Sequence, residues 1–254
     1  MHALQTAATG MAAQDLHVQV ISNNIANMAT SGYKRQRAEF SDLLYEHLRR
    51  IGTHSSDQRN ILPVGIDLGS GVKPVGTPRV MTQGSLSQTG NAFDLAITGE
   101  GFFKILMPDG TFYYTRDGSF QMDGTGRLVT AQGYVVQPGI TVPPNSTAFT
   151  VNAQGQVSVM PVGSTTPTVL GQLQVTRFIN QAGLLSIGDN LLQETPASGT
   201  PQDGLPGTNG ALEQSNVDSV TEISDLIAAQ RAYEMNSKVI QAADQMSKSI
   251  TEIR

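Results

Sequence analysis

The chain has 254 residues, among them 26 glycines and 12 prolines, and it contains neither cysteine nor tryptophan. Its net charge of −5 argues against a general affinity for nucleic acid or for anionic membranes. Without cysteine the chain has no disulfide, no thiolate nucleophile and no cysteine-ligated zinc. The length suffices for one large or two modest domains, and the glycines and prolines indicate many turns and short strands.

Residues 1–30 form the first predicted helix. Apolar or small side chains recur there at the spacing of coiled-coil a and d positions, and only Gln14 interrupts the series. Gly32 follows, and a glycine at this place predicts a left-handed cap that ends the helix. The residues assigned to the apolar seam of this helix are Leu4, Met11, Val18, Ile21, Ile25 and Met28.

Residues 79–196 predict an all-β domain. Three Asp-Gly pairs, which begin at Asp109, Asp117 and Asp123, separate short runs rich in aromatic and β-branched side chains, as hairpin turns do. Two stretches rich in proline and glycine flank this domain and predict extended connectors, namely residues 31–78 and 197–217.

Residues 218–254 form the second predicted helix. Ser219, with Glu222 three residues later, has the pattern of a capping box at its start. The predicted fold class is α+β, in which the long N- and C-terminal helices pair as an antiparallel coiled coil and a central β domain lies between them in the chain. The seam residues assigned to the second helix are Val239, Ala243, Met246, Ile250 and Ile253.

The sequence shows no motif of catalysis, cofactor binding or metal binding. The four histidines form no metal-spaced pair, and no GxSxG elbow accompanies the serines. The stretch "GSGVKPVG" lacks both the GxGxxG and the Walker spacing, so it predicts a turn-rich linker rather than a phosphate loop. We therefore expect a protein that is not an enzyme and has no cofactor.

The faces of the two helices away from their seams are rich in Asn, Gln, Ser, Thr and Ala. A self-contained helical hairpin normally exposes lysine and glutamate there, whereas uncharged side chains can be buried against another molecule without leaving a bare charge. Repeated around a screw axis, such a contact builds an open helical filament. The residues predicted to lie at subunit interfaces are Asn23, Asn24, Asn27, Gly32, Tyr33, Lys34, Arg49, Arg50, Arg59, Arg231, Tyr233 and Asn236.

Four stretches of the chain resemble one protein family. The sequences "SNNIANMATSGYKRQRAEFSDLLY" and "RAYEMNSKVIQAADQM" resemble the N- and C-terminal motifs of bacterial flagellar rod and hook proteins. The stretches "GNAFDLAITGEGFFKI" and "YTRDGSFQMDGTGRLVTAQGYVV" are similar to the β domain of the same family. Residues 45–63 resemble an insertion that distinguishes straight rod subunits from bent hook subunits.

The resemblance implies a structural subunit that polymerises into a rigid hollow tube lined by its terminal helices. The tube would act as a drive shaft between proximal rod subunits and hook subunits, inside the P-ring and L-ring, and as part of the export channel. The implied location is the basal-body rod at the level of the periplasm, peptidoglycan and outer membrane. The start of the chain lacks a basic region and an unbroken apolar stretch, so we expect flagellar type III export without a cleaved signal peptide. We expect no membrane insertion.

Three alternatives remain at this point. The chain could be another axial protein of the same family, such as a proximal rod or short hook-like subunit. It could be a secreted coiled-coil protein that works as a monomer or a small closed oligomer. It could also be an extracellular β-domain enzyme with muramidase-like activity, which would need two carboxylates roughly 5 to 9.5 Å apart.

Overall fold

The computed structural model describes residues 2–49, 64–152, 154–163, 166–204 and 208–252. The chain divides into two compact units. The helical unit consists of Met1–Ile25, Gln36–Pro78 and Ser219–Arg254, and the β unit consists of Ala26–Arg35 and Arg79–Asp218.

Two long helices dominate the helical unit, α1 (His2–Ala26) and α2 (Ser219–Glu252). Asn24, near the end of α1, donates to Glu222, near the start of α2, at 3.1 Å. Earlier in α1, Gly10 lies so close to Asn236 of α2 that an added Cβ would be 2.9 Å from its amide nitrogen. The two contacts run in opposite directions along the two helices, so the predicted antiparallel helix pair is confirmed.

The structure corrects the predicted seam. Of the predicted seam residues of α2, Ala243 is buried, together with Glu222 and Ala229, whereas Val239 and Met246 are 48% and 59% exposed. Both sets have the seven-residue period, but the small residues occupy the packed face, which allows the two helix axes to approach closely.

On α1 only part of the predicted seam is buried. Ile21 is buried together with Ala7, Ala13 and Val20, and the predicted seam residue Met28 lies beyond the end of α1 and is 49% exposed. The other predicted seam residues of α1, namely Leu4, Met11, Val18 and Ile25, are half-buried. Ile253 and the side chain of Ile250 lie outside the described part of the chain.

The composition of the connector in the helical unit predicts irregular structure. The connector instead contains four short strands. These are β1 (Glu39–Asp42), β2 (Tyr45–Arg49), β3 (Ile66–Gly69) and β4 (Val72–Gly76). β1 pairs with β4 and β2 pairs with β3, both antiparallel. The first ribbon packs on α1, where the Val72 N–H donates to Thr9 Oγ1 at 3.3 Å and the ring of Phe40 meets that of His17 edge-on.

The β unit consists of antiparallel strand pairs. The strands are β5 (Leu86–Gln88), β6 (Leu95–Ala96), β7 (Phe102–Leu106), β8 (Phe112–Thr115), β9 (Gln121–Met122), β10 (Leu128–Val129), β11 (Val135–Val136), β12 (Ser146–Val151), β13 (Gln156–Pro161), β14 (Thr168–Gln172), β15 (Val175–Arg177), β16 (Leu185–Gly188), β17 (Leu191–Gln193), β18 (Gln202–Gly204), β19 (Thr208–Asn209) and β20 (Ala211–Glu213). The largest sheet has the order β16-β17-β8-β7-β11-β10-β9, with β15 paired to β7 and β18, and the second sheet has the order β12-β13-β14. β6 pairs with β19, and β5 pairs with β20.

Two of the three predicted Asp-Gly hairpin turns are confirmed, at Asp109 between β7 and β8 and at Asp123 between β9 and β10. The third prediction is wrong, because Asp117 lies between β8 and β9, which do not pair with each other. At each of the three Asp-Gly pairs one carboxylate oxygen accepts hydrogen bonds from both the backbone N–H and the hydroxyl group of the residue two positions later. This short-range bonding satisfies the turn locally, which is why the sequence alone reveals it. The acceptor–donor pairs are Asp109 with Thr111, Asp117 with Ser119, and Asp123 with Thr125.

The core of the β unit lies between its sheets, and a variant in this core tests how tightly the unit is packed. Ile105 of β7 is fully buried in it, so the variant Ile105→Ala should lower the free energy of unfolding by about 2–5 kcal/mol. Urea unfolding followed by tyrosine fluorescence measures this, since the β unit holds Tyr33, Tyr113, Tyr114 and Tyr134. Ile187→Ala is the matched control: this side chain is 44% exposed and should cost less than about 1 kcal/mol. Equal losses in the two variants would contradict the packing described.

Candidate assembly surfaces

Three charged side chains are buried together in the β unit. Lys34 Nζ lies 2.5 Å from Glu213 Oε1, and Arg116 Nε lies 2.6 Å from Glu213 Oε2. The side chains are only 5%, 1% and 6% exposed for Lys34, Glu213 and Arg116. We call this group the buried ion cluster, in which one carboxylate neutralises two cations.

Backbone groups satisfy the remaining hydrogen-bonding capacity of the buried ion cluster. Arg116 donates to the carbonyl oxygens of Ile97, Gly99 and Gly101. Lys34 donates to the carbonyl of Thr82 at 2.8 Å, and the N–H of Gly84 donates to Glu213 at 2.9 Å. Within the described ranges no buried side-chain nitrogen or oxygen lacks a partner, as a buried charge requires.

The environment of Glu213 favours its ionised form. Burial alone would raise the pKa of this carboxyl, but the hydrogen bond from Lys34, the charge of Arg116 and the N–H of Gly84 hold the pKa below its ordinary value. The carboxylate is therefore the acceptor on which both buried cations depend.

The buried ion cluster lies where two distant segments of the chain run side by side. The N–H of Arg35 donates to Asn216 Oδ1 at 2.8 Å, and Asn216 donates from its side chain to the carbonyl of Val80 at 2.8 Å. The N–H of Gly32 donates to the carbonyl of Glu213 at 2.8 Å. The segment that follows α1 and the segment that precedes α2 are thus bonded to each other.

Gly32 is required in this arrangement. Its φ is +68°, and an added Cβ would lie 2.6 Å from the backbone of Arg116, so neither its conformation nor its surroundings admit a side chain. The left-handed glycine is as predicted, but α1 ends earlier, at Ala26, and Gly32 belongs to the turn beyond it.

Two predicted interface residues have their polar groups occupied inside the chain. Asn24 is 1% exposed; its amide donates to the carbonyl of Gln36 at 2.9 Å and to Glu222, and its oxygen accepts from the N–H of Gln36 at 2.9 Å. Lys34 is held in the buried ion cluster. The structure therefore corrects the predictions for these two side chains, because each is already satisfied by its own chain.

The other predicted interface residues differ in their exposure. Asn23, Arg49, Arg231 and Tyr233 are exposed, and Asn27, Tyr33 and Asn236 are half-buried. Arg50 and Arg59 lie outside the described residues. The contact of Asn236 with Gly10 is internal, so its exposed part alone is open to another molecule.

The sequence prediction missed the surface that the structure makes most prominent. Outside its packed face, α2 exposes large apolar side chains on more than one side of the helix, and we call these residues together the outward face of α2. The regular spacing of some of its bulky residues indicated this surface, but the sequence prediction assigned those residues to the seam between the helices. Its exposed apolar residues are Val220, Ile223, Ile227, Met235, Val239 and Met246.

A second apolar surface lies on the ribbon of β2 and β3. All residues of both strands are exposed, including Tyr45, Leu48, Ile66 and Leu68, and the neighbouring Leu44 is 87% exposed. A two-stranded ribbon with both faces in water is marginally stable by itself, so this ribbon is a second candidate contact surface.

The described residues offer little for catalysis. Among them no group of three or more His, Asp or Glu side chains could hold a metal ion. A shallow groove of about 700 Å³ beside β2 contains His47, whose Nδ1 lies 2.6 Å from Asp67 Oδ1, but both side chains are substantially exposed. In this part of the chain neither helix is both long and apolar enough to cross a membrane.

The buried ion cluster predicts a pH-dependent stability. Because the pKa of Glu213 is lower in the folded than in the unfolded chain, its stabilisation is present above the ordinary value of 4.5 and is lost as the pH falls below it. Glu213→Gln leaves two buried cations uncompensated and should cost about 3–5 kcal/mol at pH 7. Urea unfolding at pH 7 and at about pH 3 should show a smaller difference between wild type and variant at the lower pH.

The matched control for this prediction is Glu100→Gln. Glu100 also pairs with an arginine, Arg177, at 2.7 Å, but the side chains are 63% and 51% exposed. Its loss should cost less than about 1 kcal/mol. A Glu213→Gln effect as small as that of the control would show that the buried ion cluster does not stabilise the β unit.

Comparison with protein families gives three matches along the chain. Residues 4–34 match the family described as "Flagella basal body rod protein". Residues 96–159 match "Flagellar hook protein FlgE/F/G D1 domain", and residues 208–253 match "Flagellar basal body rod FlgEFG protein C-terminal". The matched regions contain both helices and the centre of the β unit.

Curated relatives match over the whole length. The flagellar basal-body rod protein FlgG of Caulobacter vibrioides is 51% identical, with 100% of each chain covered. The proteins of the same name from Agrobacterium fabrum and Bacillus subtilis are 47% and 34% identical, with at least 99% of each chain covered. The chain therefore belongs to the family of the flagellar basal-body rod protein FlgG, whose members are structural components of the rod and not enzymes.

Proposed function

We propose that the chain is a structural subunit of the distal flagellar rod and that copies of it polymerise into a rigid hollow helical tube. The observation that carries this proposal is the outward face of α2, which is apolar and uncovered in the single chain. Full-length similarity to flagellar rod proteins supports the same conclusion.

The energetics favour covering this face with a second copy. Burying one large apolar side chain contributes about 1.5–3 kcal/mol, and α2 exposes several of them that α1 leaves uncovered. Because α1 covers only the packed face of α2, the helix pair cannot bury these side chains by itself. A contact between two different surfaces of the same molecule repeats without closing and so makes a filament.

The tube would transmit torque as a drive shaft and conduct unfolded subunits through its centre. Exposed polar residues of α2, including Glu234, Gln241 and Gln245, follow one another along the helix and would line the channel. Membership of the rod family implies assembly with other components of the rod and basal body. The specific neighbours that we infer are proximal rod subunits, hook subunits, the P- and L-ring proteins and the type III export apparatus.

Self-assembly should be visible in the purified chain. As the concentration rises, we expect polymers by sedimentation and electron microscopy, together with a gain in helicity by circular dichroism. The gain is expected because the α1–α2 contact is made mostly by small side chains and a neighbouring copy adds buried area. A single small species at every concentration, with constant helicity, would contradict the proposal.

Two valine variants test which surface drives assembly. Val239 of α2 and Val169 of β14 are 48% and 52% exposed, so a change to glutamate should leave the fold of either unit intact. Val239→Glu should abolish polymers, because it places a charge in the proposed interface. Val169→Glu should polymerise as the wild type does, and loss of assembly in both variants alike would argue against the outward face of α2.

We infer further that residues 45–63 stiffen the polymer by reaching a neighbouring subunit. The described part of this segment, β2, belongs to the exposed ribbon and ends in the cationic Arg49. In this proposal Arg49, Arg50 and Arg59 pair with acidic side chains across the contact, each worth less than about 1 kcal/mol when solvated. The stiffening then comes chiefly from the apolar surface of the ribbon.

Deletion of residues 46–62 should give a curved or flexible polymer, because the contact that blocks sliding between subunits is lost. The persistence length of polymers in electron micrographs measures this. A variant with a Gly/Ser segment of equal length in the same place separates the loss of contacts from the loss of chain length, and it should be as flexible as the deletion. A straight polymer with unchanged persistence length would rule out the stiffening role.

A further inference from the structure

We propose that the side chain of Asn216 is a mechanical cross-tie, which makes three segments of the β unit resist force together at the places where the chain enters and leaves that unit. Because a drive shaft puts every subunit under load, this inference rests on the proposed function, and Asn216 is the residue through which the three segments share that load. The cross-tie consists of the hydrogen bonds of the Asn216 side chain to Arg35, Val80 and Thr82.

The chain passes between the helical unit and the β unit at four points, which follow residues 25, 35, 78 and 218. Force that travels along the chain therefore acts first on the segments of the β unit next to these points. One such segment ends at Arg35, one begins at Arg79 and one ends at Asp218. Asn216 lies two residues before Asp218 and so belongs to the last of these segments.

A single amide group joins the three segments. Asn216 Oδ1 accepts from the N–H of Arg35 at 2.8 Å, and Asn216 Nδ2 donates to the carbonyl of Val80 at 2.8 Å. The same nitrogen lies 3.1 Å from the carbonyl oxygen of Thr82 and 3.0 Å from its hydroxyl oxygen. An asparagine side chain can bridge three segments because its amide offers two N–H donors and an acceptor, whereas a hydroxyl group has one donor only. Each bond joins residues at least 134 positions apart in the sequence, so none of them serves a local turn.

These bonds oppose the peeling of a segment under load. Force can pull the segment that begins at Arg79 out of the β unit only if the bonds of Val80 and Thr82 to Asn216 break. Because Asn216 also holds Arg35, part of the load passes to the other two segments. Bonds in one network support each other, so the three segments resist more force together than each would alone.

The buried ion cluster connects the same three segments a second time. Lys34 donates to the carbonyl of Thr82 at 2.8 Å, and the N–H of Gly84 donates to Glu213 at 2.9 Å. Lys34 belongs to the segment that ends at Arg35, and Glu213 precedes Asn216 on the segment that leads to α2. The cross-tie is therefore anchored in the buried part of the β unit.

Forced unfolding separates a mechanical role from a merely stabilising one. The equilibrium free energy of unfolding counts every lost hydrogen bond, whereas the rate of forced unfolding depends on the bonds that resist at the barrier. Optical tweezers can pull the full-length chain by DNA handles on Val75→Cys and Pro108→Cys, since the chain has no cysteine of its own. Val75 of β4 is 64% exposed in the helical unit, and Pro108 is exposed in the turn between β7 and β8 of the β unit. Force then enters the β unit through the segment that begins at Arg79.

In this chain Asn216→Ala should raise the unfolding rate at constant force about tenfold or more, because the segments lose their bonds to one another. Asn152→Ala is the matched control. Asn152 makes a similar set of side-chain hydrogen bonds, but all of them lie within residues 152–156, at the turn between β12 and β13. Its loss should raise the rate less than about threefold. An equal rise in the two variants, or no rise in either, would overturn the inference.

A second pair of handles and a second variant exclude a general loss of stability as the cause. Handles on Pro108→Cys and Gln172→Cys pull on residues of the β unit outside the three segments, and here Asn216→Ala should raise the rate less than about threefold. Thr82 is exposed, so Thr82→Val keeps the fold, and through the first pair of handles it should raise the rate about threefold. An equal effect of Asn216→Ala through both pairs would overturn the cross-tie and leave the proposed function standing. Failure of the wild-type chain to polymerise would overturn the proposed function and, with it, the role of Asn216.

Discussion

The carboxylate of Glu213 is the interaction on which the β unit depends. It neutralises Lys34, which comes shortly after α1, and Arg116 at the end of β8, and it lies itself shortly before α2. The same buried carboxylate thus connects the segment after α1, the segment before α2 and the largest sheet. Without this carboxylate both cations would be buried and uncompensated, so the two segments and the sheet stay together. The result is that the chain leaves and re-enters its helices from two bonded, adjacent segments.

The faces of the two helices in the helical unit differ in character. The inner faces of α1 and α2 are small or internally satisfied, as the contacts of Gly10 with Asn236 and of Asn24 with Glu222 show. Outside these inner faces, α2 exposes large apolar side chains and α1 exposes a row of short ones. In the tube that we propose, this difference lets each subunit pair its own helices and still present exposed surfaces to other copies.

The sequence predicted those features whose causes are local. Heptad spacing revealed both helices, and the Asp-Gly turns are satisfied within three residues. The period assigned Val239, Ala243 and Met246 alike to the seam, and only the packing shows that Ala243 is buried while Val239 and Met246 are exposed. The partner of Lys34 lies 179 residues away, so only the folded chain shows that this cation is internal. The ribbon of β2 and β3 was missed for the same reason, since its two strands are separated in the sequence by residues 50–65.

The central claim is that the outward face of α2 is covered by another copy of the chain in the assembled rod. A cryo-electron microscopy reconstruction of the native basal body, at a resolution that shows side chains, tests this most directly. The account predicts Met235, Val239 and Met246 in contact with a neighbouring subunit. A reconstruction in which these side chains face water, with α2 packed only on α1 of its own chain, would contradict it.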